Sequence, residues 1–356
     1  MVNHKNHLNR RDVLKGLGLG AMGFALGGKI FAPAKIIATV GNPYLREGRL
    51  FKKVTGPAKV SLVKGNDRRE IVYKALKNIE NEVLASIGGK KILIKPNFVW
   101  CDIPLCATHV DAIRAILDFL TPHYKQQIII GESTAMKTRT PEGFKNYGYL
   151  ALEKEYNVKL VDLNENSSYE YRYVFGEGHK PLPVRIISAF LDPNTYIISA
   201  ARMKTHDRVL VTLSLKNVLL GAPLNDYEKN DKWLFHTGEN IKNNFCHFNM
   251  FHLAQEIYPD LSVIDGFEGM EGNGPTHGTP VDSRVAIASL DPLAADTLAT
   301  KVMGFDPTQV LFFSAMNEAG IGQGDLEKIN VIGTPLDQCL YHFKPHDYMA
   351  KLYGLG

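Results

Sequence analysis

The chain has 356 residues, 45% of them hydrophobic and 22% charged, enough to bury a sizeable core as one large domain or two smaller ones. Its formal net charge is only +4, and no long basic stretch with interleaved aromatics occurs, which argues against nucleic acid as a partner. The four cysteines, Cys101, Cys106, Cys246 and Cys339, fit no common zinc or iron–sulfur spacing, and leave a Cys101–Cys106 disulfide and unpaired thiols both open.

The N-terminus does not read as a fold element. Residues 9–15, NRRDVLK, lead into an uncharged, small-residue run at 16–28, the basic-then-apolar order of an export signal. Paired Arg10 and Arg11, followed by a hydrophobic pair and a lysine, resemble the twin-arginine signal. That resemblance implies recognition by the twin-arginine (Tat) export machinery, which carries already folded proteins, and a periplasmic location. An uncleaved signal segment would retain the protein at the membrane. The apolar run is too short and glycine-rich for a stable membrane span, and a cleavage point falls near 32–34.

After a Gly- and Lys-rich linker, 58–63 reads as a strand, and 71–87 has helical apolar spacing that Gly88 and Gly89 end. The run 91–94 is a buried strand stopped by Lys95, Pro96 and Asn97. Thr108 is expected to cap a helix with its apolar face at Val110, Ile113, Ile116, Leu117 and Leu120. A strand at 127–130 ends in Gly131, Glu132 and Ser133, and Thr140-Pro141 opens another helix. Further strands fall at 158–161, 196–199, 261–264, 285–288 and 329–332. Asp291-Pro292 and Asp306-Pro307 start helices that stop near Gly304 and Gly320. Residues 169–193 and 225–249 are less regular and read as insertions. The alternation predicts an α/β fold: a largely parallel, Rossmann-like sheet with flanking helices and irregular insertions.

In such sheets ligands bind outside the carboxyl ends of the strands, where the polar strand-end residues gather. Lys95 is held extended by Pro96, and Asn97 donates to an oxyanion or to a turn. Glu132, between Gly131 and Ser133, suits a divalent cation, a base, or a salt bridge to Lys204. His109 at a helix start favours its neutral form. Lys204 and His206, two apart in extended backbone, share a face. Lys216 and Asn217 sit among leucines, and a lysine there needs an acid or an anionic ligand, or snorkels outward. His252 lies on a helix expected at 249–257. Residues 265–275, DGFEGMEGNGP, read as a glycine-rich loop whose acids favour a hard cation. This loop matches neither a dinucleotide fingerprint nor a P-loop.

Seven segments, KPNFV (95–99), THV (108–110), GES (131–133), MKTH (203–206), TLSLKNVLLG (212–221), VIDGFEGMEGNGPTHGTPV (263–281) and SLDPLAADTLA (289–299), together resemble the DUF362 family, a domain of unknown function. Some members carry ferredoxin-type cysteine motifs; this chain has none, so no iron–sulfur cluster is expected. The strand-end motifs followed by Lys/His segments are also similar, more distantly, to the nickel-pincer lactate racemases, which use a lysine-tethered cofactor and acid–base histidines. The resulting division is a signal segment at 1–34, a linker at 35–57, an α/β domain at 58–340 and a C-terminal tail at 341–356. The expected function is an exported enzyme acting on a small anionic substrate by acid–base or metal-assisted chemistry. Lys95, Lys204, His206 and His109 are the catalytic candidates. Asn97, Glu132, Ser133, Lys216, Asn217, Gly272 and Asn273 are the ligand-binding candidates, and Asp265, Glu271 and His252 are candidates for a divalent metal. The alternative is a non-catalytic periplasmic binder or carrier of a small ligand or metallocofactor.

Overall fold

The computed structural model describes residues 54, 56–136, 138–165, 167–237 and 245–355; the segment read as an export signal at 1–34 and most of the expected linker lie outside them. Strands β1 (Ala58–Lys64), β2 (Lys91–Lys95), β3 (Ile128–Glu132), β4 (Val158–Asp162), β7 (Thr195–His206), β9 (Leu261–Asn273), β11 (Val285–Ser289) and β12 (Ile329–Gly333) form the main sheet, in the order β12-β1-β11-β9-β7-β2-β3-β4. Along this path only β11 runs against the rest. Short strands β8 (Leu210–Thr212) and β10 (His277–Val281) fold back antiparallel onto β7 and β9. The expected α/β fold is present, and β11 is the exception to its parallel character. A hairpin joins β9 to β10, and β11 continues in the direction of β10 along β9 after three residues, which sets its reversed sense.

Side chains alternate across the sheet, so each central strand feeds two cores. On one face Ile92, Ile94, Tyr196 and Ile198 meet α1 (Arg68–Lys77), α2 (Glu80–Ile87) and α3 (Val110–Leu120); α4 (Thr140–Asn146) and α5 (Leu152–Glu155) extend this layer. On the other, Leu93, Ile197 and Ile264 pack against α6 (Ser214–Leu219), α7 (Phe245–Ala254), α8 (Pro292–Val302) and α9 (Leu311–Ala319). The helix read at 71–87 is two helices, because the chain breaks at Asn78 and Ile79. The insertion at 169–193 is a two-stranded antiparallel ribbon, β5 (Tyr169–Phe175) with β6 (Pro181–Ile187). C-terminal residues pack onto the fold through buried Phe343 and Met349, the latter on α10 (Asp347–Tyr353). Among the described residues no helix is long and apolar enough to cross a membrane.

Strand order fixes where a ligand has room. From β2 the chain moves outward through β3 and β4, then returns to lay β7 on the other side of β2 and continues to β9. The order therefore reverses between β2 and β7, the kind of switch point at whose carboxyl ends such sheets bind ligands. Lys95 ends β2, and Lys204 lies near the end of β7.

Candidate functional site at the carboxyl rim

At the end of β2 the buried Lys95 ammonium donates to both carboxylate oxygens of Glu132, at 3.0 and 2.9 Å, and to Pro96 O at 2.8 Å. Glu132 ends the adjacent parallel strand, which brings the two strand ends side by side. Burial lowers the Lys95 pKa, and Glu132 opposes that shift. A lysine this dry needs its carboxylate. Asn217 extends the network: its Oδ1 accepts from Lys95 Nζ at 3.2 Å and Asn97 Nδ2 at 3.1 Å, while its Nδ2 donates to Lys95 O and Ser199 Oγ. Asn97 Oδ1 in turn accepts from Lys204 Nζ at 2.6 Å, and Cys106 O accepts a second Lys204 hydrogen bond. Burial, with Lys216 and Arg202 adding to it, lowers Lys204 to about 7. A continuous chain of hydrogen bonds thus runs from Glu132 to Lys204 across the switch point. A side chain at Gly221 would overlap the Lys95 stem, so glycine lets the backbone close over that lysine.

Lys216 differs from its neighbours. It is 9% exposed on α6 and has no hydrogen-bond or salt-bridge partner among the described residues; burial lowers its pKa. The helix that presents it has no N-cap of its own. Asp296 of α8 supplies the acceptor instead, taking Ser214 N at 2.9 Å and Leu215 N at 2.8 Å. Close by, His206 is buried and its ring stacks on that of His236 at 6.2 Å between centroids. Burial first, then the Lys216 charge, hold the His206 pKa well below its ordinary value, so the resting ring is neutral. His206 Nδ1 lies 3.0 Å from Arg208 N and 3.0 Å from Asp207 Oδ1. These contacts serve opposite tautomers. The Asp207 contact suits an Nδ1–H ring with a basic Nε2, and the Arg208 contact suits an Nε2–H ring.

The glycine–acid segment is not a loop. It continues β9, with Asp265 opposite Arg202 and Met270 opposite Lys204, so five steps on β9 face two on β7 and residues 266–269 bulge outward. Asp265 Oδ2 lies 3.2 Å from Arg68 Nε, and Arg202 holds Glu268 Oε2 at 3.1 Å.

Several expected site residues lie elsewhere. Glu271 accepts from Lys344 N at 2.9 Å, Gly272 N donates to Lys344 O at 2.7 Å, and Asn273 bonds Asp347, so all three tether the C-terminal segment. His252 packs against Phe175 and Phe248 beside the ribbon. Asp265, Glu271 and His252 therefore do not converge, and among the described residues no group of three or more His, Cys, Asp or Glu is arranged to hold a metal. Ser133 serves as a clamp: its Oγ donates to Gly221 O and accepts from Lys232 Nζ. Thr108 does not cap α3, because its hydroxyl donates to Ala200 O; His109 is the cap, its Nδ1 accepting from Asp111 N. Burial, then the Arg68 charge, lower the His109 pKa. All four cysteines are free.

Sequence reasoning passed over Arg202, Lys232 and Asp296. Arg202 shares the period-two face of Lys204 and His206, a signal that was present. Lys232 and Asp296 arrive through long-range packing, which no local pattern reports.

The profile of a family described as a domain of unknown function, DUF362, matches residues 92–301, more than half of the 356. The chain is also similar to thylakoid-associated protein sll1697 of Synechocystis sp., at 25% identity over 270 residues, covering 75% of this chain and 80% of the relative. The match spans the strands and helices that carry Lys95, Glu132, Lys204, Lys216 and Asp265, and this chain belongs to the DUF362 family.

Proposed function

We propose that the protein is an enzyme that moves a proton on a small organic anion at the carboxyl rim of the sheet. One observation carries the reading: Lys216 is a buried cation with no ion-pair partner among the described residues, set beside a neutral His206. A buried ammonium is costly alone and is satisfied by an anion from outside. With the anion in place, the positive charge that depresses His206 is offset, and Nε2 gains basicity. Asp207 then supports the ring as it takes a proton, and Lys204 with Asn97 stabilises negative charge developing on the substrate. Lys95, Glu132 and Asn217 position this group and do not touch substrate, and His109 stands apart as a helix cap.

The N-terminal basic and apolar segments support export by the twin-arginine pathway to the periplasm, before the α/β domain at 58–340. The name of the Synechocystis relative, thylakoid-associated, supports a place near a membrane. A fusion reporter in which Arg10 and Arg11 are both replaced by Lys tests this: export is expected to stop.

The enzymatic reading is tested by incubating the full chain in D2O with a panel of carboxylic acids and phosphate esters and following C–H exchange by NMR. Exchange with one class is expected, and it is lost in His206→Gln while that ligand still binds. If the ligand binds and neither chain exchanges any compound, the protein is a carrier, and the proton-transfer reading fails.

A further inference from the structure

A second feature of the rim lies on the other side of the segment that Lys204 holds. Arg202 Nε donates to Ala107 O at 2.6 Å, one residue beyond the Cys106 carbonyl held by Lys204. Next to Arg202 is a cavity of about 550 Å³ whose polar walls are Arg68, His109, Arg202, Glu268 and Asp282. Its size suits a small organic molecule.

The donors and acceptors on these walls are not balanced. Each nearby acid already faces an arginine: Asp265 faces Arg68, Glu268 faces Arg202, and Asp282 accepts from Arg284 Nε at 2.9 Å. The donors are not used up. Arg202 is 2% exposed; its Nε and Nη1 are committed to Ala107 and Glu268, and its Nη2 has no partner among the described residues. Arg68 is tied only through Nε, and both its Nη groups lack a partner among the described residues while its guanidinium lies over the Phe267 ring at 5.0 Å. His109 accepts at Nδ1, so its neutral ring carries a proton on Nε2 as a third donor, at the first turn of an eleven-residue helix. Pro104, Pro280 and Phe267 leave apolar surface beside these donors. The Glu268 carboxylate, 46% exposed and resting on Arg202, shows what this guanidinium accepts: a carboxylate, here an internal one able to swing into solvent.

We propose that this cavity binds a small organic oxyanion, a carboxylate or a phosphate monoester, between the unpartnered guanidinium edges of Arg68 and Arg202, with Glu268 as the internal anion it displaces. The site stands on different residues from the Lys216 assignment, and each is tested without the other.

The probes are inorganic phosphate, phenyl phosphate and phenylacetate, titrated calorimetrically into the full chain. Saturable binding of one phenyl probe is expected, with inorganic phosphate weaker because it leaves the apolar wall uncovered. Arg68→Gln, whose amide can still donate to Asp265, weakens binding about ten-fold or more, the value of a charge-assisted hydrogen bond. Glu268→Gln removes the competing carboxylate and tightens binding by roughly five-fold, a gain that loss of structure cannot produce. Lys216→Met leaves the affinity within about two-fold, since the lysine lies outside this cavity. Preference for phenyl phosphate identifies a phosphate ester as the ligand class, and preference for phenylacetate identifies a carboxylate. Failure of all three probes with both wild type and Glu268→Gln overturns the proposal. So does binding that Lys216→Met abolishes and Arg68→Gln leaves intact, which places the anion at the lysine instead.

Discussion

Replacing Glu132 by Gln keeps the shape of the side chain and removes the only carboxylate among the described residues that the Lys95 ammonium touches. Both residues are almost wholly buried, and Lys95 keeps only neutral oxygens, Pro96 O and Asn217 Oδ1, in the variant. Breaking such a pair costs about 3–5 kcal/mol, because a charge is left dry and uncompensated. The ceiling follows from the proton: a lysine of ordinary pKa 10.5 sheds it at pH 7 for about 4.8 kcal/mol, at roughly 1.36 kcal/mol per unit. At pH 9 the same route costs only about 2 kcal/mol. The folded-state pKa of Lys95 is lowered, so the unfolded chain binds the proton more readily, and stability rises with pH toward the unfolded value. Denaturant unfolding followed by circular dichroism at pH 7 and pH 9 reads both effects. Glu132→Gln is expected to lose about 3–5 kcal/mol at pH 7, the gap narrowing to about 2 kcal/mol at pH 9, and adding Lys95→Met recovers most of the loss. A loss under about 1 kcal/mol at pH 7, or a gap that does not change with pH, refutes a charged, desolvated pair.

Lys216→Met is expected to raise stability by about 1–4 kcal/mol by removing a buried charge, most strongly below pH 10, while abolishing the proton exchange; thermal melts and the D2O assay check the two halves. Burial lowers His236 and His247 to about 3, and His206 shifts the same way, so these rings stay neutral in the fold while the unfolded chain takes up protons below about 6.5. Their contribution is complete above that pH and is lost as pH falls toward 3, so acid unfolding should steepen below pH 6.5, as a titration of unfolding midpoints will show. Both nitrogens of His247 are buried without a hydrogen bond in the described structure, and His247→Phe is expected to add about 1–3 kcal/mol and remove one proton from that slope. Asp296→Ala leaves the first turn of α6 uncapped and should cost about 1–2 kcal/mol, with a matching loss of ligand affinity at Lys216 seen by calorimetry.

The layered α/β architecture was legible because β-branched runs alternate with helical spacing, and because Asp291-Pro292 and Gly320 mark a helix start and a helix end that the structure has. Lys95, Asn97, Glu132 and Lys204 were legible as a group for a topological reason: parallel strands deliver their carboxyl ends to one rim. The glycine–acid segment misled, since its composition is that of a loop while its backbone pairs with β10 on one side and β7 on the other. Glycine there admits close neighbours, as at Gly266, where a Cβ would come within 2.8 Å of Val285 and 2.9 Å of Met203. Thr108 looked like the cap because Asp111 sits three residues on, but a tertiary acceptor, Ala200 O, claimed its hydroxyl first. The cation pairing of the rim was illegible for the same reason. Which lysine has a carboxylate and which does not is settled by strand order, and strand order is not written locally.

Two adjacent carbonyls, those of Cys106 and Ala107, are gripped by Lys204 from one side and Arg202 from the other. These two consecutive peptide groups form a partition between Lys204 and Arg202, and the positive charge of Arg202 is among the influences that lower the Lys204 pKa. An oxyanion docking on the arginine side cancels part of this influence and raises the proton affinity of the lysine across the partition. Reciprocity then requires that protonating Lys204 tighten the anion by the same factor. With Lys204 lowered to about 7, the coupling between the proposed anion site and this lysine falls within the neutral range.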